Sequence, residues 1–161
     1  MKLVLDASVI IAFFRELDDG QFLNALTKMG FEIYVTDGVI AEVKKEPESS
    51  RLKQAICEGW IKNKSVEKHK FDTFKNIYPM LDYAEVEVLI CCLGFKFRNE
   101  NYCCVLDEGA GRKIADTLAL EKTGTLGLLK ILNDTNIIDA KCMEKLLNKL
   151  EQSTFRFRKH N

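Results

Sequence analysis

The sequence predicts an α/β fold: a central, mostly parallel sheet covered by helices on both faces. Three observations predict it. Leu3-Val4-Leu5 and Tyr102-Cys103-Cys104-Val105-Leu106 are short apolar runs without polar alternation, as in strands buried on both faces. Segments of helical length, bounded by caps and glycines, alternate with such runs along the chain. Both apolar runs also stop at an aspartate, Asp6 and Asp107. In open α/β sheets, ligands bind just beyond the carboxyl ends of strands.

Taken in order, Leu3–Leu5 is the first strand, and Ser8 is placed to cap the apolar helix that follows, over 9–16. Asp18-Asp19-Gly20 breaks the chain before a second helix over 21–29, which Gly30 stops. Glu32–Thr36 reads as a strand. Asp37 then offers a cap for a helix to about Lys45, which Pro47 must end. A helix over 49–58 closes at Gly59, and 60–66 reads as a short edge strand. The basic stretch 60–79 is otherwise poorly patterned, with a helix over 71–78 before Pro79.

Asp82 and Glu85 have the spacing of a capping box. The helix they open runs to about Leu93, and Gly94 is placed to end it. After the strand at 102–106, a helix spans 109–121. Gly124-Thr125-Leu126-Gly127 links to an apolar helix over 128–132, with Asp134 and Asp139 both read as caps. Asp139 opens a last amphipathic helix to about Gln152. Phe155 and Phe157 alternate with Arg156 and Arg158, as in a terminal edge strand.

The 161 residues suit one domain with a real core, spanning 1–161. The formal net charge is zero, so no global field draws in nucleic acid. Polyanion binding must come from local clusters such as Lys62, Lys64, Lys68 and Lys70, or the tail residues Arg156, Arg158 and Lys159. Cys57, Cys91, Cys92, Cys103, Cys104 and Cys142 include two adjacent pairs inside apolar runs and no CxxC. They read as buried free thiols of a cytoplasmic protein rather than a disulfide or zinc framework. The N-terminus does not resemble a signal peptide, and no apolar run approaches the roughly 18 residues of a membrane span.

Asp6 and Asp107 meet at one sheet edge if their strands are neighbours. Glu42 and Glu85, each near the start of a helix, can point to the same place. Gathered carboxylates repel unless a cation neutralises them or some take up protons. Oxygen ligation without His or thiolate suits Mg²⁺ or Mn²⁺. Each acid also has a plainer reading: Asp6 as a cap, Glu42 as a solvated helix acid, Glu85 as the capping-box partner of Asp82. Glu87 and Glu108 read as solvated or as supports of the primary acids. Arg112 suits a phosphate or a carboxylate. His69 and His160 lack the partners of a nucleophilic triad, and neither G-x-S-x-G nor a P-loop occurs.

Together these pieces resemble the PIN-domain family of metal-dependent nucleases. They are Val4-Leu5-Asp6-Ala7-Ser8, Ile40-Ala41-Glu42-Val43, Ala84-Glu85-Val86-Glu87, and Val105-Leu106-Asp107-Glu108 with Arg112 and Ala115. Gly124-Thr125-Leu126-Gly127-Leu128-Leu129 and Phe155-Arg156-Phe157 resemble a prokaryotic branch of uncharacterised PIN-like proteins related to VapC toxins. The resemblance implies a three-layer α/β/α sandwich with about five strands in the order 3-2-1-4-5. It implies an acidic Mg²⁺ or Mn²⁺ pocket that hydrolyses RNA, often with a small antitoxin as partner, or a homodimer. By this match Asp6, Glu42, Glu85 and Asp107 are the catalytic, metal-holding acids. Ser8, Glu87, Glu108, Arg112 and Thr125 support them or bind phosphate. Ala84 departs from the glycine usual in this branch, and Glu87 competes with Glu85 as the third acid.

The expected function is therefore a metal-dependent endoribonuclease, and the branch resemblance adds the expectation of a toxin in a toxin–antitoxin pair. Two alternatives stand beside it. One is an inactive protein of the same fold with a binding or regulatory role. The other is a phosphatase-like α/β phosphoryl-transfer enzyme; its chemistry generally wants a second Asp two residues after the first, where this chain has Ser8.

Overall fold

The computed structural model describes residues 1–17, 20–107 and 109–153. Asp18 and Asp19, Glu108, and the expected terminal strand at Phe155–Phe157 with its basic neighbours lie outside the described residues. Among the described residues the sheet has five parallel strands in the order β3-β2-β1-β4-β5. They are β1 (Lys2–Leu5), β2 (Glu32–Thr36), β3 (Ile61–Lys64), β4 (Tyr102–Val105) and β5 (Lys122–Thr123). Helices cover both faces, giving three layers. The mark of this is that consecutive residues Leu3, Val4 and Leu5 are all buried, although their side chains point to opposite faces.

The helices are α1 (Ala7–Ile11), α2 (Gln21–Lys28), α3 (Asp37–Val43), α4 (Ser49–Cys57), α5 (Lys68–Ile77), α6 (Tyr83–Phe97), α7 (Gly109–Thr117), α8 (Thr125–Asp134) and α9 (Ala140–Gln152). β1 and β4 are neighbours at the centre, with Leu5 opposite Val105. Parallel pairing of these strands puts their carboxyl ends, and the aspartates that follow, at one edge. Helix α6, the longest among the described residues, has the expected capping box. Asp82 accepts from the Glu85 amide at 2.8 Å, and Glu85 accepts from the Asp82 amide at 3.1 Å.

Several expectations are corrected. The first helix is not uniform: α1 passes into a π-helical turn over Ala12–Glu16, where the Leu17 amide reaches back to the Ala12 carbonyl at 3.1 Å. The turn aims Arg15 at Glu48, which accepts from its Nε at 3.0 Å and Nη2 at 2.7 Å. Ser8 lies inside α1, not at its cap. Thr36, not Asp37, caps α3, accepting from the Val39 amide at 3.5 Å, and Asp37 instead accepts from Asn63 at 2.8 Å. Gly94 does not end α6. A helical glycine costs about 1 kcal/mol, less than is gained by continuing the helix to bury Phe95 against the core.

The helix expected over 109–121 stops at Thr117, where Ala119 turns left-handed (φ 50°), and the chain then enters the sheet as β5. There the Cys104 amide donates to Glu121 at 2.8 Å and the Leu106 amide to Thr123 at 3.0 Å. The fifth strand is thus internal to the chain and only two residues long, too short to show any periodicity. Asp134 closes α8 rather than capping a helix, whereas Asp139 does cap α9, accepting from the Cys142 amide at 2.7 Å. The basic stretch is β3 followed by α5, with the helix starting earlier than its pattern suggested. No helix among the described residues is long and apolar enough to cross a membrane.

Candidate active site

Asp6 extends the central pairing by one residue. Its amide donates to the Val105 carbonyl at 3.1 Å, which fixes its backbone at the carboxyl edge of β1. The side chain is buried, and Ser8 Oγ donates to its Oδ2 at 2.9 Å. Its Oδ1 is buried and has no hydrogen-bond partner, the sole such side-chain atom among the described residues. Burial raises the Asp6 pKa to about 7; the charges of Asp82 and Glu85 add to the rise, and the Ser8 and Ala7 hydrogen bonds oppose it.

Glu42 projects from α3 and remains solvent-accessible. Partial desolvation of its carboxyl raises its pKa, and the nearby charges of Asp82 and Glu85 raise it further, against Lys45. Asp6, Glu42, Asp82 and Glu85 therefore share one electrostatic neighbourhood. Asp82 belongs to it although the sequence presents it only as a cap. The signal that could have found it was its spacing: an N-cap that brings its N3 glutamate to the sheet edge stands at that edge itself.

Glu85 and Glu87, also buried, are held by helix N-termini, where free amides and the helix dipole favour negative charge. Glu85 bridges two helices: Oε2 accepts from Asp82 of its own cap, and Oε1 accepts from the Gly111 amide in the first turn of α7 at 3.0 Å. A Cβ at Gly111 would stand 2.8 Å from that oxygen, so the approach depends on glycine. Glu87 turns away toward α3, where its Oε2 accepts from the Gly38 amide at 2.6 Å.

Asp107 lies past β4 and is gripped by one residue. The Thr125 amide donates to Oδ1 at 2.7 Å, and Thr125 Oγ1 donates to Oδ2 at 2.5 Å. Burial raises the Asp107 pKa, while these bonds and the Arg112 charge pull it back. Arg112 itself spends Nη1 on backbone, donating to Leu106 at 2.8 Å and Thr123 at 3.0 Å, and so ties β4 to β5. It is a structural clasp as well as a charge beside Asp107.

The donor set suits a hard divalent cation. Mg²⁺ keeps several waters and takes one or two carboxylates, and Asp6 offers a buried oxygen in need of a partner among negative neighbours. Among the described residues no three acid, His or Cys side chains converge closely enough to cage an ion alone. Water would have to complete the shell.

A family model described as PIN domain matches residues 2–160. No curated protein matches the chain.

Proposed function

Since the chain belongs to the PIN-domain family, a nuclease-type fold, we propose that it is a metal-dependent endoribonuclease that hydrolyses RNA phosphodiester bonds. The observation that carries this reading is the unpartnered Oδ1 of Asp6, buried at the sheet edge beside Asp82 and Glu85. A carboxylate so placed is costly without a counter-charge. Asp6 would hold Mg²⁺ or Mn²⁺ directly, with Glu42, Asp82 and Glu85 reached directly or through water, and Asp107, which follows the neighbouring strand β4, would complete the set. Bound there, the ion supplies Lewis acidity toward water and phosphate.

The chain's own residues do the positioning. Ser8 fixes the Asp6 carboxyl by its hydrogen bond. Thr125 holds both oxygens of Asp107, so that acid cannot rotate away from the edge. Glu85, restrained by two backbone amides, sets the distance between α6 and α7. Glu87 and Arg112 support the frame that carries these groups. Asp6 must be deprotonated to bind the cation, so activity rises with pH toward neutrality, and cation binding lowers the pKa that burial has raised.

Unpaired RNA is the substrate on this reading, and the protein acts in the cytoplasm as a single nuclease domain over 1–161. A small antitoxin or a second copy of the chain is the protein partner, and the protein is the toxin of such a pair. Labelled RNA, incubated with and without EDTA, tests the chemistry against Asp6→Asn and Asp107→Asn. Cleavage should require the metal and fall by orders of magnitude in both variants. Cleavage that persists in EDTA, or is equal in both variants and wild type, overturns the reading. Co-purification from the native host tests the partner; a lone chain there removes the antitoxin proposal.

A further inference from the structure

The strongest unassigned feature lies on the chain's open surface beside the acids. Ile77, Met80 and Tyr83 are all exposed at the corner between α5 and α6. Single exposed apolar residues are ordinary, but these three lie close together in the chain. Tyr83 is 57% exposed, directly follows Asp82, and shares the first turn of α6 with Glu85.

The Tyr83 ring is held rather than loose. Phe71 of α5 packs on it with ring centroids 4.2 Å apart and planes at 31°. On another side the backbone of Gly38 approaches so closely that a Cβ there would stand 2.7 Å from the ring. The result is a supported aromatic surface, open to solvent and next to the Asp6 neighbourhood.

The charges around it sort what can dock. Asp37, Asp72 and Glu87 act on the Tyr83 hydroxyl and make its rim acidic, so a phosphate is repelled from the ring and a neutral, flat group is not. Lys68 shares a face of α5 with Phe71, three residues earlier. It is exposed and has no ion-pair partner among the described residues. A nucleotide chain has both parts: an uncharged base for the ring and a phosphate for the lysine. Base–aromatic stacking beside basic groups is how single strands are held without sequence reading.

We propose that Tyr83, backed by Phe71, is a stacking platform for one nucleobase of a single-stranded RNA, with Lys68 receiving a flanking phosphate. The platform rests on the nuclease reading and adds to it how the strand is placed. Seating a base beside Asp82 fixes which phosphodiester reaches Asp6, and it favours unpaired over duplex RNA because a base inside a duplex has both faces stacked on its neighbours.

The test is binding of a short single-stranded RNA carrying one fluorescent purine analogue, measured with Mg²⁺ in an Asp6→Asn background that does not cut it. Stacking quenches the analogue, and anisotropy of an end label reports affinity. Tyr83→Phe should keep both signals. Tyr83→Leu, which keeps apolar packing on Phe71 but has no flat π-face, should lose the quenching and weaken binding about 5- to 150-fold. Lys68→Gln should weaken binding and reduce its salt dependence while leaving the quenching in place. Tight, quenched binding by Tyr83→Leu would refute the platform and leave the nuclease reading standing. Binding by neither parent nor variants would overturn the platform, and the cleavage assay shows separately whether the nuclease reading stands. Thermal melts of Tyr83→Leu check that lost affinity is not lost fold.

Discussion

Asp6→Asn should make the metal-free protein more stable, and the gain should depend on pH in a defined direction. An aspartate titrates near 3.8 when unperturbed, and burial lifts Asp6 to about 7. An acid whose folded pKa is raised favours the fold in its protonated form. No cost arises below about pH 4; the cost grows as pH climbs toward 7 and is complete above it. At about 1.4 kcal/mol per pKa unit, the ionised carboxylate costs the metal-free fold about 4 kcal/mol at pH 8.

Asparagine removes the charge and can still accept from Ser8. Its amide nitrogen would take the place of Oδ1, which has no partner, and leaving it unpaired costs about 1–3 kcal/mol. The net gain at pH 8 is then about 1–3 kcal/mol, and near pH 4 it vanishes or reverses. For a chain of this size that corresponds to a rise in Tm of about 2–10 °C.

Urea unfolding in EDTA at about pH 8 and pH 4 measures both ends. Adding Mg²⁺ should stabilise wild type, by about 2.7 kcal/mol at a hundredfold excess over Kd, and the variant much less. A variant equal to or weaker than wild type at pH 8 in EDTA, or a difference independent of pH, would refute the reasoning that Asp6 is a charge awaiting a cation.

Thr125→Val deletes the Oγ1 donor to Asp107 but keeps the amide bond. It should cost about 1.5–3 kcal/mol by chemical denaturation and shift the alkaline-going limb of the pH–activity profile upward as the Asp107 pKa rises. Gly124→Ala would place a Cβ 2.6 Å from Asp107 Oδ1 and 3.3 Å from the Leu106 carbonyl. Overpacking there should cost about 1–3 kcal/mol and lower cleavage by displacing Asp107, with unchanged stability and activity as the contrary result. Arg15→Ala should cost about 2 kcal/mol, discounted from the value for a fully buried pair because Arg15 is partly exposed. Arg15 holds the Glu48 pKa below the usual range, so this contribution is present at neutral pH and fades as pH falls through the Glu48 pKa; a variant whose deficit is the same at about pH 7 and pH 3 would contradict it.

The amino-acid sequence by itself determined the layer architecture and where to look. Leu3–Leu5 and Tyr102–Leu106 are apolar at every position, which only a strand covered on both faces tolerates, and each stops at an aspartate. The Asp82–Glu85 box and the glycines at 30 and 59 are local devices, written in residues that touch each other along the chain. These were legible because their physics is local. Tertiary structure decided what depends on distant partners. Lys122–Thr123 is a strand only because β4 lies beside it. α6 runs through Gly94 because Phe95 has a core to enter. Arg112 faces two carbonyls that meet only when β4 and β5 pair. The acids were distinguished in the same way. Glu85, Glu87 and Asp107 find amides at the starts of α7, α3 and α8, whereas Asp6, with the same carboxylate chemistry, is buried at the sheet edge with one oxygen unmet. The desolvation of a charge is a property of the surrounding volume, and no stretch of sequence contains that volume.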